Sequence, residues 1–185
     1  MAESDEPKGR QGWRERKRLR LPNYDYSQRG AYFVTLCAQD RLCVFGEVSE
    51  GRVQLSAPGS MVAEVWRELS TTFQGVIVDT FVVMPNHLHG VLILEPVGPT
   101  RDGGSRRLSL PDIIQRFKTF TMTRYIAGVR TADWPRFPGR LWQRNYFEHI
   151  IRDEEALNRV REYIERNPID WDMDPENPES SPSRG

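Results

Sequence analysis

The stretch Phe81 to Leu94, FVVMPNHLHGVLIL, constrains this chain more than any other. Two apolar runs flank Pro85-Asn86, which reads as a tight turn, so the segment is a strand, a turn and a second strand. Side chains alternate faces along a strand, so His87 and His89 point the same way, about 7 Å apart at their Cα atoms. Leu88 points to the opposite face, into a core. Two imidazoles side by side on a sheet are a ready pair of ligands for a divalent metal. A bare His-x-His is also a common surface pattern. What favours a site here is rigid placement: the pair sits at a strand start, beside a turn, between apolar runs.

The rest of the chain supplies partners for this hairpin. Ala31 to Cys37 is rich in β-branched and aromatic residues and reads as a strand, with Leu42 to Phe45 extending or pairing with it and Val53 to Leu55 as a short edge. Ser56 to Thr71 places Val62, Val65, Trp66 and Leu69 on one helical face. A second helix starts at Ser109-Leu110-Pro111-Asp112 and ends at Gly128, and Arg140 to Ile151 reads as a fourth main strand. Asp153-Glu154-Glu155 caps a last helix, which Pro168 stops. The order strand, helix, strand, strand, helix, strand, helix predicts an α+β fold: a ferredoxin-like, RRM-like antiparallel sheet with two helices on one face.

Charge divides the chain further. Residues 1–20 read as a basic flexible arm carrying Arg16, Lys17, Arg18 and Arg20. Residues 21–169 form the domain, and 170–185 an acidic disordered tail. A basic arm on a chain of zero formal net charge suggests a polyanionic partner. No apolar run approaches a membrane span, and the polar N-terminus lacks a signal-peptide core, so the expected location is cytoplasmic. Cys37 and Cys43 do not form a C-x-x-C and read as packing residues.

The closing helix carries Tyr163-Ile164-Glu165-Arg166-Asn167, in which Tyr163 and Asn167 are four apart and share a face. The MPNHLHG segment, this Tyr-Ile-x-x-Asn helix, the lead-in RLPNYDYSQRGAYFVTLCAQDR and the stretch LWQRNYFEHIIRDEEALNRVREYIERNP together resemble the HUH-type single-tyrosine transposases, in particular the REP-associated branch. The resemblance runs from about Arg18 to Ile169. It implies an HUH endonuclease fold, bacterial and nucleoid-associated. It also implies a Mg2+ or Mn2+ ion held by His87, His89 and the Asn167 amide, where insertion-sequence relatives usually carry Gln. Tyr163 is then the nucleophile that nicks single-stranded or hairpin DNA through a 5′-phosphotyrosine link, in a monomer or a homodimer. Tyr146, in an aromatic stretch near His149, is the rival nucleophile.

Two imidazoles and an amide make a neutral, rather soft ligand set, so metal binding without DNA is expected to be weak. Lys118, Arg116 and Arg124 on the second helix, Arg144, and Arg16, Lys17, Arg18 and Arg20 of the arm are the expected DNA contacts. The competing reading is a domesticated, non-catalytic single-strand-binding module, since a ferredoxin-like sheet also suits that role.

Overall fold

The computed structural model describes residues 24–96 and 108–180. The expected contacts Arg16, Lys17, Arg18 and Arg20 lie outside the described residues. Six strands and three helices follow in the order β1 (Gly30–Cys37), β2 (Gly46–Ser49), β3 (Arg52–Leu55), α1 (Ala57–Thr72), β4 (Val76–Val83), β5 (His87–Leu94), α2 (Leu110–Thr131), β6 (Phe147–Ile151) and α3 (Glu154–Arg166). The main sheet is antiparallel throughout, with strands ordered β4-β5-β1-β6. This is the ferredoxin-like order the alternating pattern predicts. β2 and β3 form a separate hairpin; Leu42 to Phe45 precedes it in no strand, so neither that segment nor Val53 to Leu55 extends the main sheet.

The two faces of the sheet are covered differently. Tyr32, Val34 and Leu36 of β1 and Leu88 and Leu92 of β5 pack with Trp66 and Leu69 of α1 and Ile113, Ile114 and Phe117 of α2. The alternate residues, Phe33 of β1 and Val91 of β5, pack with Leu157, Val160 and Ile164 of α3. Thus α1 and α2 share one face as expected, and α3 closes the other, the face that carries the histidines. A glycine makes the crowded face possible at β5: a Cβ on Gly90 would lie 2.6 Å from Cζ2 of the buried Trp66.

β4 sets the position of α3. Its register against β5 slips between Val78 and Phe81, where one extra residue bulges at Asp79–Thr80. The bulge keeps Phe81 in the α1/α2 core and turns Asp79 towards α3. There Asp79 takes a bidentate pair of hydrogen bonds from Arg161, Nε to Oδ1 at 2.9 Å and Nη2 to Oδ2 at 2.7 Å. The helix itself begins at Asp153, whose carboxylate accepts from the Ala156 amide.

Three segments depart from expectation. The fourth strand spans Phe147–Ile151 rather than 140–151. Leu141 and Trp142 instead turn into the core, and the Trp142 indole donates to Thr121 Oγ1 at 2.8 Å. α2 continues past Gly128 to Thr131, because Gly128 makes room for the Trp134 ring within the helix instead of ending it. The largest difference is at residues 170–180, expected to belong to a disordered acidic tail. They fold back on the domain, with a single 3-10 turn at Trp171–Met173 and with Asp174 and Asn177 buried.

Candidate metal centre and nucleophile

The site grows from β5 and its turn. His87 and His89 emerge on the α3 face, opposite Cys37 and Thr35 of β1, and both rings are buried. Their Nε2 atoms are 3.0 Å apart. The other nitrogen of each ring is held from behind. His87 Nδ1 is 2.8 Å from Asn86 Oδ1, and the Asn86 amide donates to the carbonyls of Arg41 and Glu176 at 3.2 and 2.7 Å. Those two bonds fix the amide oxygen towards His87, so Nδ1–H donates and Nε2 keeps its lone pair. His89 Nδ1 lies 2.8 Å from Thr35 Oγ1, which can hold that ring in the same tautomer.

Burial pushes the pKa of both histidines down, and the neighbouring His87 lowers that of His89 further. Asp174, Glu176 and Asn167 oppose the effect at His87. Neutral imidazoles are the form a metal ligand requires. With both rings in that tautomer, the two lone pairs that face each other at 3.0 Å are favourable only with a proton or a cation beside them.

α3 and the segment after it bring the remaining groups. Tyr163 is 40% exposed, and its hydroxyl lies 3.4 Å from His89 Nε2, with its ring edge-on to Phe33 and His89. Asn167 caps the end of α3 and is 3% exposed. Its Nδ2 donates to Asp174 Oδ2 at 3.0 Å, while its buried Oδ1 has no hydrogen-bond partner. A buried carbonyl oxygen without a donor is uncommon and calls for an explanation such as an ion.

His87, His89 and Asp174 offer ligand atoms that all lie within 4.8 Å of one another, a group that could hold a divalent metal. Two nitrogens bound to one ion at about 2.1 Å and about 90° apart would be about 3.0 Å from each other, as these two are. The residues present therefore fit a divalent cation, with two imidazole nitrogens, a carboxylate and an amide oxygen. Asp174 places a carboxylate beside the neutral set expected from His87, His89 and Asn167. Its acidic surroundings gave no sequence signal for this role, because a run of Asp and Glu after a helix reads as solvated tail. Asn86 was legible as a turn residue and not as the group that orients His87.

The other predicted residues separate. Tyr146 lies in the loop before β6, with the Lys118 ammonium 5.4 Å from its ring centre, packed against the α1/α2 core. His149 sits on β6 opposite Phe33 and is outside the metal group. Lys118 Nζ donates to the carbonyls of Gln143 and Arg144 at 2.8 and 3.2 Å, and burial pushes its pKa down to about 8. It ties the 140–146 loop to α2 rather than presenting a free charge. Arg124 is committed to a bidentate pair with Glu68 at 3.0 and 2.7 Å. Arg116 lies over the Phe73 ring on the exposed helix side, and Arg144 is exposed. No helix among the described residues is long and apolar enough to cross a membrane.

No family model matches the chain. An uncharacterized protein of Haemophilus influenzae is 37% identical over 180 residues, covering 88% of this chain and 93% of that protein. Among solved structures, a REP-associated tyrosine transposase bound to a REP hairpin superposes with a TM-score of 0.56 at 15% identity, covering 84% of this chain and 74% of that one. A transposase-like protein from Deinococcus radiodurans gives a TM-score of 0.45 at 19% identity, covering 79% of this chain and 95% of that one. At 15% identity the likeness to the hairpin-bound transposase is one of fold, and it agrees with the four-stranded antiparallel sheet and its helices.

Proposed function

The chain belongs to one family with the uncharacterized Haemophilus influenzae protein, and we propose that it is a metal-dependent endonuclease and strand transferase of single-stranded DNA, an HUH-type tyrosine transposase that acts at hairpin sites of the REP kind. The observation that carries this reading is the Tyr163 hydroxyl, 3.4 Å from His89 Nε2 on the face where His87, Asn167 and Asp174 converge. The hairpin-bound transposase of the same fold supports hairpin DNA as the substrate class.

In this account the Tyr163 oxygen attacks the scissile phosphorus. The bond from phosphorus to the 3′-oxygen breaks, leaving a 5′-phosphotyrosine and a free 3′-hydroxyl. A second 3′-hydroxyl reverses the step on a new strand, so no nucleotide is consumed. A phenol with an ordinary pKa of about 10 is a poor nucleophile at neutral pH, so placement and nearby positive charge must activate it. A Mg2+ or Mn2+ ion held by His87, His89, Asn167 and Asp174 would supply that charge and polarise the phosphate. The carboxylate makes this set harder than two imidazoles and an amide, which suits either ion. Phe33 packs edge-on to Tyr163 and stacks on His89, fixing both rings. Because Tyr163 lies against His89 of its own chain, the proposed nucleophile and metal ligands come from one chain, which supports catalysis by a monomer. Among the described residues, Arg116 and Arg144 remain exposed candidates for phosphate contact.

The test is covalent capture. The protein is incubated with single-stranded hairpin oligonucleotides from repeats beside its own gene, with Mn2+, and denatured adducts are resolved by gel. An adduct formed by the wild type and absent from Tyr163→Phe and His87→Ala supports the reading. Tight binding with no adduct under any metal would replace it with a non-catalytic binding module.

A further inference from the structure

We propose that residues 171–180 are a wall of the metal site, and that Asp174 both ligates the ion and holds the Asn167 amide so that its Oδ1 faces the ion. Docking of this segment and binding of a divalent cation then form one linked equilibrium. The proposal rests on the metal-dependent reading above and deepens it.

The segment is fastened to the histidine hairpin at several points. Asn86 Nδ2 donates to the Glu176 carbonyl at 2.7 Å, and the same amide's oxygen holds His87. Arg41 donates to the Pro175 carbonyl at 3.2 Å and pairs with the Glu176 carboxylate at 3.1 Å. The Trp171 ring lies 6.0 Å from that of His87. Asn177 Nδ2 donates to the Trp171 carbonyl, which closes the segment on itself.

Within this frame Asp174 is 6% exposed. Its Oδ1 accepts from the Glu176 amide at 2.6 Å and its Oδ2 from Asn167 Nδ2 at 3.0 Å. Among the described residues its carboxylate forms no ion pair, and it is buried beside the two imidazoles. Independently, the Asn167 oxygen is buried without a donor. One divalent ion accounts for both. The hydrogen bond from Asn167 to Asp174 also decides which end of the amide faces the histidines: Nδ2 is taken, and Oδ1 is left for the ion.

Linkage is reciprocal, so whatever factor docking contributes to ion affinity, the ion contributes to docking. Removing an outer partner of a metal ligand commonly costs about 10- to 100-fold in affinity. The experiment titrates Mn2+ into the metal-free full chain, without DNA, by calorimetry, comparing wild type, Asp174→Asn and His87→Ala. Hydrogen exchange of residues 171–180 is measured in the wild type with and without saturating Mn2+. The proposal expects Asp174→Asn to bind at least about 10-fold more weakly than wild type, and Mn2+ to slow exchange in 171–180. It is overturned if Asp174→Asn binds as tightly as wild type while His87→Ala does not, or if Mn2+ leaves that exchange unchanged. Absence of Mn2+ binding by the wild type would instead defeat the metal reading itself, and this proposal with it. The exchange arm uses no variant, so a misfolded Asp174→Asn cannot leave the question open.

Discussion

Replacing Asp79 with Asn should loosen α3 from the sheet by a predictable amount. The Arg161 guanidinium holds the Asp79 carboxyl down at about 2, against an ordinary value of 3.8, with the Thr80 amide and hydroxyl helping. Each tenfold change in proton affinity is about 1.4 kcal/mol, so the displacement corresponds to about 2.4 kcal/mol. The Arg161 side chain is 32% exposed, and water screens the pair, which leaves about 1–1.5 kcal/mol. The sign follows from the depressed value: the stabilisation is fully present above 3.8 and is lost as pH falls through about 2. By pH 3 roughly half should be gone. The assay is a double-mutant cycle of Asp79→Asn and Arg161→Met in urea unfolding, run at pH 7 and pH 3. A coupling near 1 kcal/mol at pH 7 that shrinks at pH 3 is expected. A coupling below about 0.3 kcal/mol at pH 7, or one independent of pH, would refute the idea that this pair anchors the helix bearing Tyr163.

Other predictions follow from the same packing. Gly90→Ala should destabilise by about 1–3 kcal/mol in thermal unfolding, because the added methyl meets the buried Trp66 ring under the histidine strand. His87 and His89 are held neutral by burial, so the unfolded chain binds more protons below the ordinary histidine value of 6.5. Stability of the metal-free protein should therefore fall as pH drops from 6.5, and His89→Gln should flatten that slope in denaturant titrations from pH 7 to 5. Lys118→Met should cost about 1–3 kcal/mol by orphaning the Gln143 and Arg144 carbonyls. It should leave the salt dependence of oligonucleotide binding unchanged, whereas Arg144→Gln should reduce that slope.

Much of this structure was legible in the chain because its signals are local and periodic. Alternation in β5 put His87 and His89 on one face, and helical spacing put Tyr163 and Asn167 on another, but only the resemblance to the HUH-type transposases joined the two pairs into one expected site. Their meeting depends on α3 crossing the face opposite α1 and α2, and a bulge at Asp79–Thr80 that no sequence pattern announces helps fix it there. Asp174 was illegible for a different reason. Its burial is created by distant partners, Asn86, Arg41 and Asn167, and an acidic stretch after a helix looks the same whether it is solvated or docked. Lys118 and Arg124 show the converse. A cation on a helix looks available until the structure supplies the carbonyls or carboxylate that occupy it.

Whether Tyr163 is the nucleophile is decided by where the DNA is attached. A trapped adduct can be digested with nuclease and trypsin and the residual phosphonucleotide located by tandem mass spectrometry. With Tyr163 as the nucleophile, it lies on the peptide Glu162 to Arg166, at Tyr163. Attachment on the peptide Asn145 to Arg152, at Tyr146, would contradict that assignment.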